Sequence, residues 1–420
     1  MMFLRVIGGL WLTALSLSAQ AQPWEFSAPI LVTDTQGPGI FHHLESSGRH
    51  NIAVSAGTVA VAWEDNHDGM PRIYLARKAA SANAFTPALQ ISGSGEAFEP
   101  SLLALDNERF VLAWEEDARI HVRLVTPTEL GPESVLGGEG MQASLGAQGN
   151  QVLLVYSQRE GRVSRIWLQR LNLDGLEFSP GRSCAVDSEP AQDEQLYPTL
   201  VSLDNDILVA WEDRRFGHTV IMATRTRAAE RCGFVPPQRI SEGRAARNLN
   251  YGKGHGVARV ALARYGAQQA FAVWADKRDF REGYDIYGAD YQADGPILFG
   301  ANQKVQDSFG GVAQQWHASV AGDAAGQLVV AWDDNRDGDA NIMYSWRENG
   351  EWSDDLVVPG AGGAGQQNHP SVILDPAGNL HLAWVARASI DGATTLHYVF
   401  GRTAAASVTP TADPAVDKDK

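Results

Sequence analysis

The sequence is poor in cysteine. Its 420 residues include only Cys184 and Cys232. Outside the reducing cytoplasm two cysteines can form one disulfide. The sequence does not give their separation in space, so a disulfide and two buried thiols both remain open.

Clusters of positive charge and long apolar runs are also missing. Asp and Glu number 50 against 34 for Lys and Arg, which gives a formal net charge of −16, and no run of five basic residues occurs. This balance argues against a nucleic-acid partner. After the first residues no segment reaches the roughly 18 apolar residues of a membrane-spanning helix, and no stretch shows a convincing helical period.

The two ends of the chain differ in composition from the middle. Residues 1–21 combine Arg5, an apolar stretch and the small-residue site Ala19-Gln20-Ala21, a pattern that predicts a signal peptide and export. The pattern leaves periplasm and extracellular space open. Residues 403–420 have no core-forming pattern and are predicted to be disordered, so we expect one domain over residues 22–402, as a monomer.

What the sequence has in abundance is a repeat. "VAWEDNHDG" at Val61 recurs as "VAWEDRRFG" at Val209 and "VAWDDNRDG" at Val330. Aligning on the aromatic residue gives seven units of roughly 50 residues, the size of a propeller blade. The seven anchors are Trp63, Trp114, Tyr156, Trp211, Trp274, Trp332 and Trp384.

Each unit contains short apolar runs separated by Asn, Asp and Gly, which predicts antiparallel strands joined by hairpins. The last unit ends after its third strand, while "FSAPILVTD" at Phe26–Asp34 has the pattern of a fourth. The sequence therefore predicts an all-β, seven-bladed propeller of four-stranded blades. The N-terminal strand should complete the last blade and close the ring.

The hairpin after each anchor is predicted to be structural. Asp in such turns bonds to its own backbone and pairs with Arg, and Gly permits the bend. The second residue after the anchor is Asp65, Asp213, Asp276 or Asp334, and the fourth is His67, Arg215, Arg278 or Arg336. Units two, three and seven instead carry Glu116, Gln158 and Ala386 at the Asp position.

A second set of polar residues stands at or just before the first strand of each unit, on the same predicted rim as these hairpins. The set consists of His50, Glu99, Gln142, Tyr197, His255, His317 and His369. Long loops rich in Gly, Asn, Gln and His precede several of them, as adaptable binding loops do. Two interpretations stay open: these side chains cap the strands, or they form a ligand-binding rim.

One hairpin also has the spacing of a calcium loop. Asp333, Asn335, Asp337 and Asn341 alternate around Gly338. Hard cations prefer such oxygen ligands. No bidentate Glu closes the loop, because Tyr344 stands at that position, so calcium is a hypothesis and no other cofactor is indicated.

The repeat pattern "hPS…G-x-h-h-h-A-W-x-D-x-R-x-G-x-x-x-I-Y" (h, apolar) resembles the sialidase-like, Asp-box-related (BNR) repeats of secreted bacterial propellers, over roughly residues 24–402. The resemblance implies the propeller architecture. The motif S-x-D-x-G-x-x-W is absent as a clean match, and the first inner strand reads "HNIAVS" in place of an arginine motif. Sialidase activity is therefore the weaker implication.

The favoured function is an exported binding module that recognises a glycan or a protein on the face where the inner strands begin. The alternative is a glycan-active enzyme, either a polysaccharide lyase or, less favoured, a glycosidase. A lyase needs a base, an acid and a group that neutralises the uronate carboxylate. Unit five offers Tyr251, Lys253, His255 and Arg259 for these roles, beside His317 and His369. An envelope scaffold protein is the third reading.

Overall fold

The computed structural model describes residues 22–44, 48–187, 189, 192–204, 206–226, 232–242, 256–278, 283–307, 312–389 and 391–404. In these ranges the chain forms 31 β-strands, and every pairing between them is antiparallel. No helix in the described ranges is long and apolar enough to cross a membrane. The predicted signal peptide and nearly all of the predicted tail lie outside these ranges, although the last strand includes Thr403.

The first three blades follow the chain. Blade one contains β3 (His42–His43), β4 (Ile52–Ser55), β5 (Thr58–Asp65), β6 (Arg72–Ala79) and β7 (Leu89–Gln90). Blade two contains β8 (Ala97–Ala104), β9 (Phe110–Glu116), β10 (Arg119–Val125) and β11 (Ser134–Val135). Blade three contains β12 (Gly140–Gln148), β13 (Gln151–Glu160), β14 (Val163–Asp174) and β15 (Glu177–Ala185).

The next three blades repeat this order. Blade four contains β16 (Gln195–Ser202), β17 (Ile207–Asp213), β18 (Val220–Arg225) and β19 (Gln238–Arg239). Blade five contains β20 (Gly256–Tyr265), β21 (Gln269–Lys277), β22 (Asp285–Asp290) and β23 (Gln303–Lys304). Blade six contains β24 (Gln315–Gly322), β25 (Leu328–Asp334), β26 (Asn341–Glu348), β27 (Glu351–Trp352) and β28 (Leu356–Val357).

Blade seven joins the two ends of the chain. Its first three strands are β29 (Gln366–Leu374), β30 (Leu380–Arg387) and β31 (Thr394–Thr403), and its outer edge is formed by β1 (Trp24–Phe26) and β2 (Ile30–Leu31). Both N-terminal strands pair with β31. This confirms the predicted closure, which leaves no exposed edge between the first and last units.

The core lies between the blades. Each of the seven buried apolar clusters joins two neighbouring blades, and the clusters between blades six and seven and between blades seven and one complete the circle. The six anchor tryptophans are fully buried and Tyr156 nearly so. Each anchor packs against the preceding blade, so the repeated aromatic residue holds adjacent blades together.

The two cysteines form a disulfide. Their Cα atoms lie 5.3 Å apart, and the bond joins β15 of blade three to the loop before β19 of blade four. It therefore ties two neighbouring blades together at their outer strands.

Candidate functional site

The inner strands of blades two to seven share a β-bulge near their first residues. At each bulge the pairing with the second strand shifts, and a residue other than glycine adopts a φ between 48° and 59°. Such backbone is costly for these residue types and is found disproportionately at binding and active sites. The six bulge residues are Glu99, Gln142, Tyr197, Arg259, His317 and His369.

In blade one the described residues 44 and 48–50, between β3 and β4, take the place of the bulge and are called the insertion below. Gly48 packs against Thr199 and Val260, and its carbonyl oxygen accepts the hydroxyl of Ser144 at 2.9 Å. The insertion therefore crosses the centre of the ring to blades three, four and five. Its buried Arg49 forms an ion pair with the bulge residue Glu99 at 2.7 Å.

Five of the six bulge N–H groups donate hydrogen bonds to side chains of the preceding blade. In four cases the acceptor is the carboxylate directly after the anchor tryptophan. Glu64 accepts from Glu99, Glu115 from Gln142, Glu212 from Arg259 and Asp333 from His369. Because the carboxylates satisfy the strained backbone, the bulge side chains are not needed as caps.

Gln142 is the exception, because its own side-chain oxygen accepts the N–H of Tyr197 at 2.9 Å. Blade three has Ser157 after its anchor, and the Ser157 hydroxyl donates to the same oxygen. Gln142 therefore caps the backbone of the next inner strand, as one of the two interpretations proposed. Other bulge side chains contact one another.

The bulge side chains of blades four to seven form an arc of aromatic and basic groups. The Arg259 guanidinium lies 3.5 Å from the ring centroid of Tyr197. The rings of His317 and His369 lie 3.8 Å apart, and His43 lies 4.8 Å from His369. Consecutive inner strands pack side by side, so this arc runs around the channel mouth.

Asp333 contacts two residues of that arc, His317 and His369. One carboxylate oxygen lies 2.6 Å from Nδ1 of His317 and also accepts the N–H of His369 at 3.1 Å. A carboxylate at Nδ1 favours the proton there and leaves Nε2 as the basic nitrogen.

Acidic groups occupy the opposite part of the rim. Burial and, to a smaller extent, the nearby Glu99 raise the pKa of Glu115 to about 8, although Arg49 opposes both effects. At neutral pH Glu115 is therefore predominantly protonated. The rim presents acidic groups on blades one and two and basic or aromatic groups on blades four to seven.

The structure brings together five of the seven residues predicted for the rim and corrects one position. His50 lies at the end of the blade-one insertion, where burial lowers its pKa, and His43 reaches the histidine pair in its place. In blade five the bulge residue is Arg259. Tyr251, Lys253 and His255 lie outside the described residues.

The hairpin signature has the structural role that was predicted. In five blades the anchor Nε1–H donates to the carboxylate two residues on, at 2.7 to 3.2 Å. Arg215, Arg278 and Arg336 pair with these carboxylates, and His67 pairs with Asp65. In blade seven Ala386 cannot accept, and Gln367 accepts from Trp384 instead.

The four predicted calcium ligands are not brought together. Asp333 turns to the rim histidines, Asn335 accepts the N–H of Gln314 at 2.7 Å, and Asn341 accepts the N–H of Gly363 at 3.0 Å. Asp337 lines a surface pocket beside Asn341. Three of the four side chains therefore have separate protein partners, so the spacing that suggested a calcium loop does not produce a shared oxygen shell.

Within the described ranges one other group has the composition of a metal site. Ligand atoms of Glu116, His121 and Glu133 lie within 4.8 Å of one another. Glu116 accepts from Trp114 and Gly95, and His121 Nδ1 lies 2.6 Å from Glu133. This trio fills the place of the Asp–Arg pairs in other blades, and its groups already have protein partners.

Comparison with known proteins gives a shared fold. No family model and no curated protein matches the sequence, so the proposed relation to Asp-box repeats stays a prediction. Among solved structures, a protein of unknown function from Dyadobacter fermentans matches with a TM-score of 0.52 and 11% identity, over 91% of this chain and 100% of the other. Polysaccharide lyase Uly1 matches with a TM-score of 0.53 and 9% identity, over 84% and 89%.

An α-L-arabinanase from Penicillium chrysogenum also matches, with a TM-score of 0.47 and 12% identity over 89% of this chain and 98% of the other. At these identities the likenesses show the fold alone. The chain is a seven-bladed β-propeller whose solved neighbours include glycan-active enzymes.

Proposed function

We propose that the protein is a polysaccharide lyase that cleaves an acidic, uronate-containing glycan at the channel mouth. The observation that carries this proposal is the convergence of Tyr197, Arg259, His317 and His369 at one backbone position of four consecutive blades. The blades repeat the backbone bulge but not the side chain. A repeated frame that carries different side chains is what a specific site requires.

The chemistry follows from the groups present. The Arg259 cation neutralises the uronate carboxylate, which makes the neighbouring C5–H acidic. His317, oriented by Asp333, accepts that proton through Nε2. The electron pair of the C5–H bond forms the C4=C5 double bond as the C4–O bond breaks, and the Tyr197 hydroxyl protonates the leaving oxygen.

Two further points support this choice over a binding module. One solved structure with the same fold is named as a polysaccharide lyase. The arc also contains a histidine–aspartate pair, which orients a base for proton transfer and which glycan binding alone does not need. The predicted signal peptide would place the protein outside the cytoplasm, where such polymers occur, and export is part of the proposal.

The test is an assay for the ultraviolet absorbance of the unsaturated product, with alginate, pectate and glucuronan as substrates. Arg259→Ala should reduce the rate by about 100-fold or more, since it removes the charge that stabilises the transition state. Arg264→Ala is the matched control, because Arg264 lies on the same strand but pairs with the exposed Asp204. It should keep the wild-type rate.

Absence of product from wild-type protein on all three polymers would refute the lyase. If calorimetry then showed glycan binding that Arg259→Ala abolishes, the favoured interpretation of the sequence, a binding module, would replace it.

A further inference from the structure

A pair of aromatic side chains lies on the rim beside His317. The rings of Trp316 and Tyr284 lie 3.9 Å apart, centroid to centroid, with their planes inclined by 36°. Trp316 comes from the inner strand of blade six and Tyr284 directly precedes β22 of blade five. Both are only partly buried. The pair therefore spans the junction of the two blades at the solvent-facing end.

The pair is not part of the repeated scaffold. Residues of the other blades that take the register position of Trp316 are His43, Phe98, Met141, Leu196, Ala258 and Asn368. No other blade has tryptophan there, and the seven anchors already supply the repeated aromatic contact between blades. A partly exposed tryptophan in one blade alone is better explained by what it binds than by the fold.

The hydroxyl of Tyr284 strengthens this argument. Tyr74, Tyr265 and Tyr291 each donate a hydrogen bond to an aspartate. In the part of the chain that the structure describes, the Tyr284 hydroxyl has no such partner. It lies against Gly256, where a Cβ atom would overlap it. Glycine at 256 thus gives the hydroxyl room at the start of the strand that carries Arg259.

A positive charge stands next to the pair. Lys277 Nζ lies 5.5 Å from the ring centroid of Tyr284. The ring centroid of Trp316 lies 6.2 Å from that of His317. A sugar ring with a carboxylate needs a face for its C–H groups, a hydrogen-bond partner and a counter-charge. The aromatic pair supplies the face, the Tyr284 hydroxyl can supply the hydrogen bond, and the Lys277 ammonium group supplies the charge.

We infer that Trp316 and Tyr284 form a subsite that binds the uronate sugar next to the cleaved bond, with Lys277 paired to its carboxylate. This inference rests on the proposed function for the position of the cleaved bond. It adds that the glycan runs outward from the channel mouth across the junction of blades five and six. The enzyme then recognises a polymer and not a single sugar.

The experiment measures binding and turnover separately on the full mature chain. Trp316→Ala should weaken the binding of long alginate, pectate or glucuronan oligosaccharides by about tenfold, equivalent to about 1.4 kcal/mol. It should raise KM and leave kcat nearly unchanged, because the subsite contacts the polymer and not the reacting atoms. Tyr284→Phe should weaken the same binding by a smaller factor through loss of the hydroxyl.

Trp352→Ala is the matched control. Trp352 is equally partly buried and lies in the same blade, but in the hairpin at the opposite end, where it packs on Phe271. It should bind every oligosaccharide as the wild type does.

The outcomes separate this inference from the proposed function. If the wild type binds the oligosaccharides, Trp316→Ala weakens that binding and no unsaturated product forms, the lyase is refuted and the subsite is retained. Turnover with long-chain binding unchanged in Trp316→Ala refutes the subsite and keeps the lyase. Failure of wild-type protein to bind any of these oligosaccharides refutes the subsite as well.

Discussion

At the scale of single residues, two carboxylate positions that are adjacent in sequence contact different parts of the fold. In five blades the second residue after the anchor accepts the anchor Nε1–H, and in three of these it also pairs with the arginine of the hairpin. The first residue after the anchor points to the rim and holds the strained bulge of the next blade. Period-two alternation in a strand produces this division.

The rim carboxylates share one position in the sequence repeat, but that position alone does not reveal their role. Glu64, Glu115, Glu212 and Asp333 stand at one repeat position, next to the Asp of the signature. Their partners belong to the following blade, roughly 30 to 50 residues later in the chain, so only the three-dimensional arrangement of blades reveals the contact.

The raised pKa of Glu115 predicts how stability depends on pH. Its folded-state pKa is about 8 against an ordinary value of 4.5, so the folded protein favours the protonated form. This contribution to stability is complete below the ordinary value and is lost as pH rises through about 8. Glu115→Gln, which resembles the protonated form, should therefore have a higher Tm than the wild type above that pH.

Thermal melts of both proteins between acidic and alkaline pH would check this. The exposed Glu129→Gln is the control and should follow the wild-type curve. Parallel curves for Glu115→Gln and wild type would show that Glu115 ionises normally.

At the scale of structural elements, the inner strand with its bulge is the functional unit. The repeat predicted where each inner strand begins, and five of the seven predicted rim residues lie at the bulges. In blade five, several histidine, lysine and arginine residues precede or begin the inner strand. The sequence does not say which of them lies at the bulge. Arg259 is fixed only by its pairing with β21.

The rim residue of blade one is hard to predict for a related reason. Its insertion separates β3 from β4, so His43 and Arg49 both contribute to the rim although residues 44–48 stand between them in the sequence. A sequence alignment that expects a continuous strand places His50 there instead.

The insertion of blade one should be sensitive to added volume. Gly48 has φ +79°, and a Cβ atom would meet the carbonyl oxygen of Val260 in blade five. Gly48→Ala should lower stability by about 1–3 kcal/mol from backbone strain and crowding. Denaturant unfolding curves measure the change in midpoint.

Gly57→Ala is the control for backbone strain alone. Gly57 has nearly the same φ, +81°, but the nearest atom to its Cβ would be 3.9 Å away. Equal losses in the two variants would show that the insertion is not tightly packed in the channel.

At the scale of the whole molecule, closure and cohesion were the most predictable features. The missing fourth strand of the last unit and the surplus strand at the N-terminus predicted the pairing of β1 and β2 with β31. The buried anchors predicted the interfaces between blades. The disulfide between blades three and four could not be predicted, because 48 residues separate the cysteines and only the folded ring brings them together.

The ring also determines where chemistry can occur. The six bulges and the described part of the insertion lie at the same end of the inner strands, so residues from seven blades meet at one face. Arg259, His317 and His369 lie on blades five to seven, and the acidic Glu99 and Glu115 lie on blade two, so the rim side chains differ in charge around the ring.

The central claim is that an acidic glycan binds at this bulge ring. A crystal structure of the Tyr197→Phe protein, which lacks the proposed acid, with a bound uronate oligosaccharide tests it most directly. The account predicts a sugar carboxylate beside Arg259, its C5 atom facing His317 and the next ring on Trp316. An oligosaccharide bound on the outer strands or at the opposite end of the ring would contradict it.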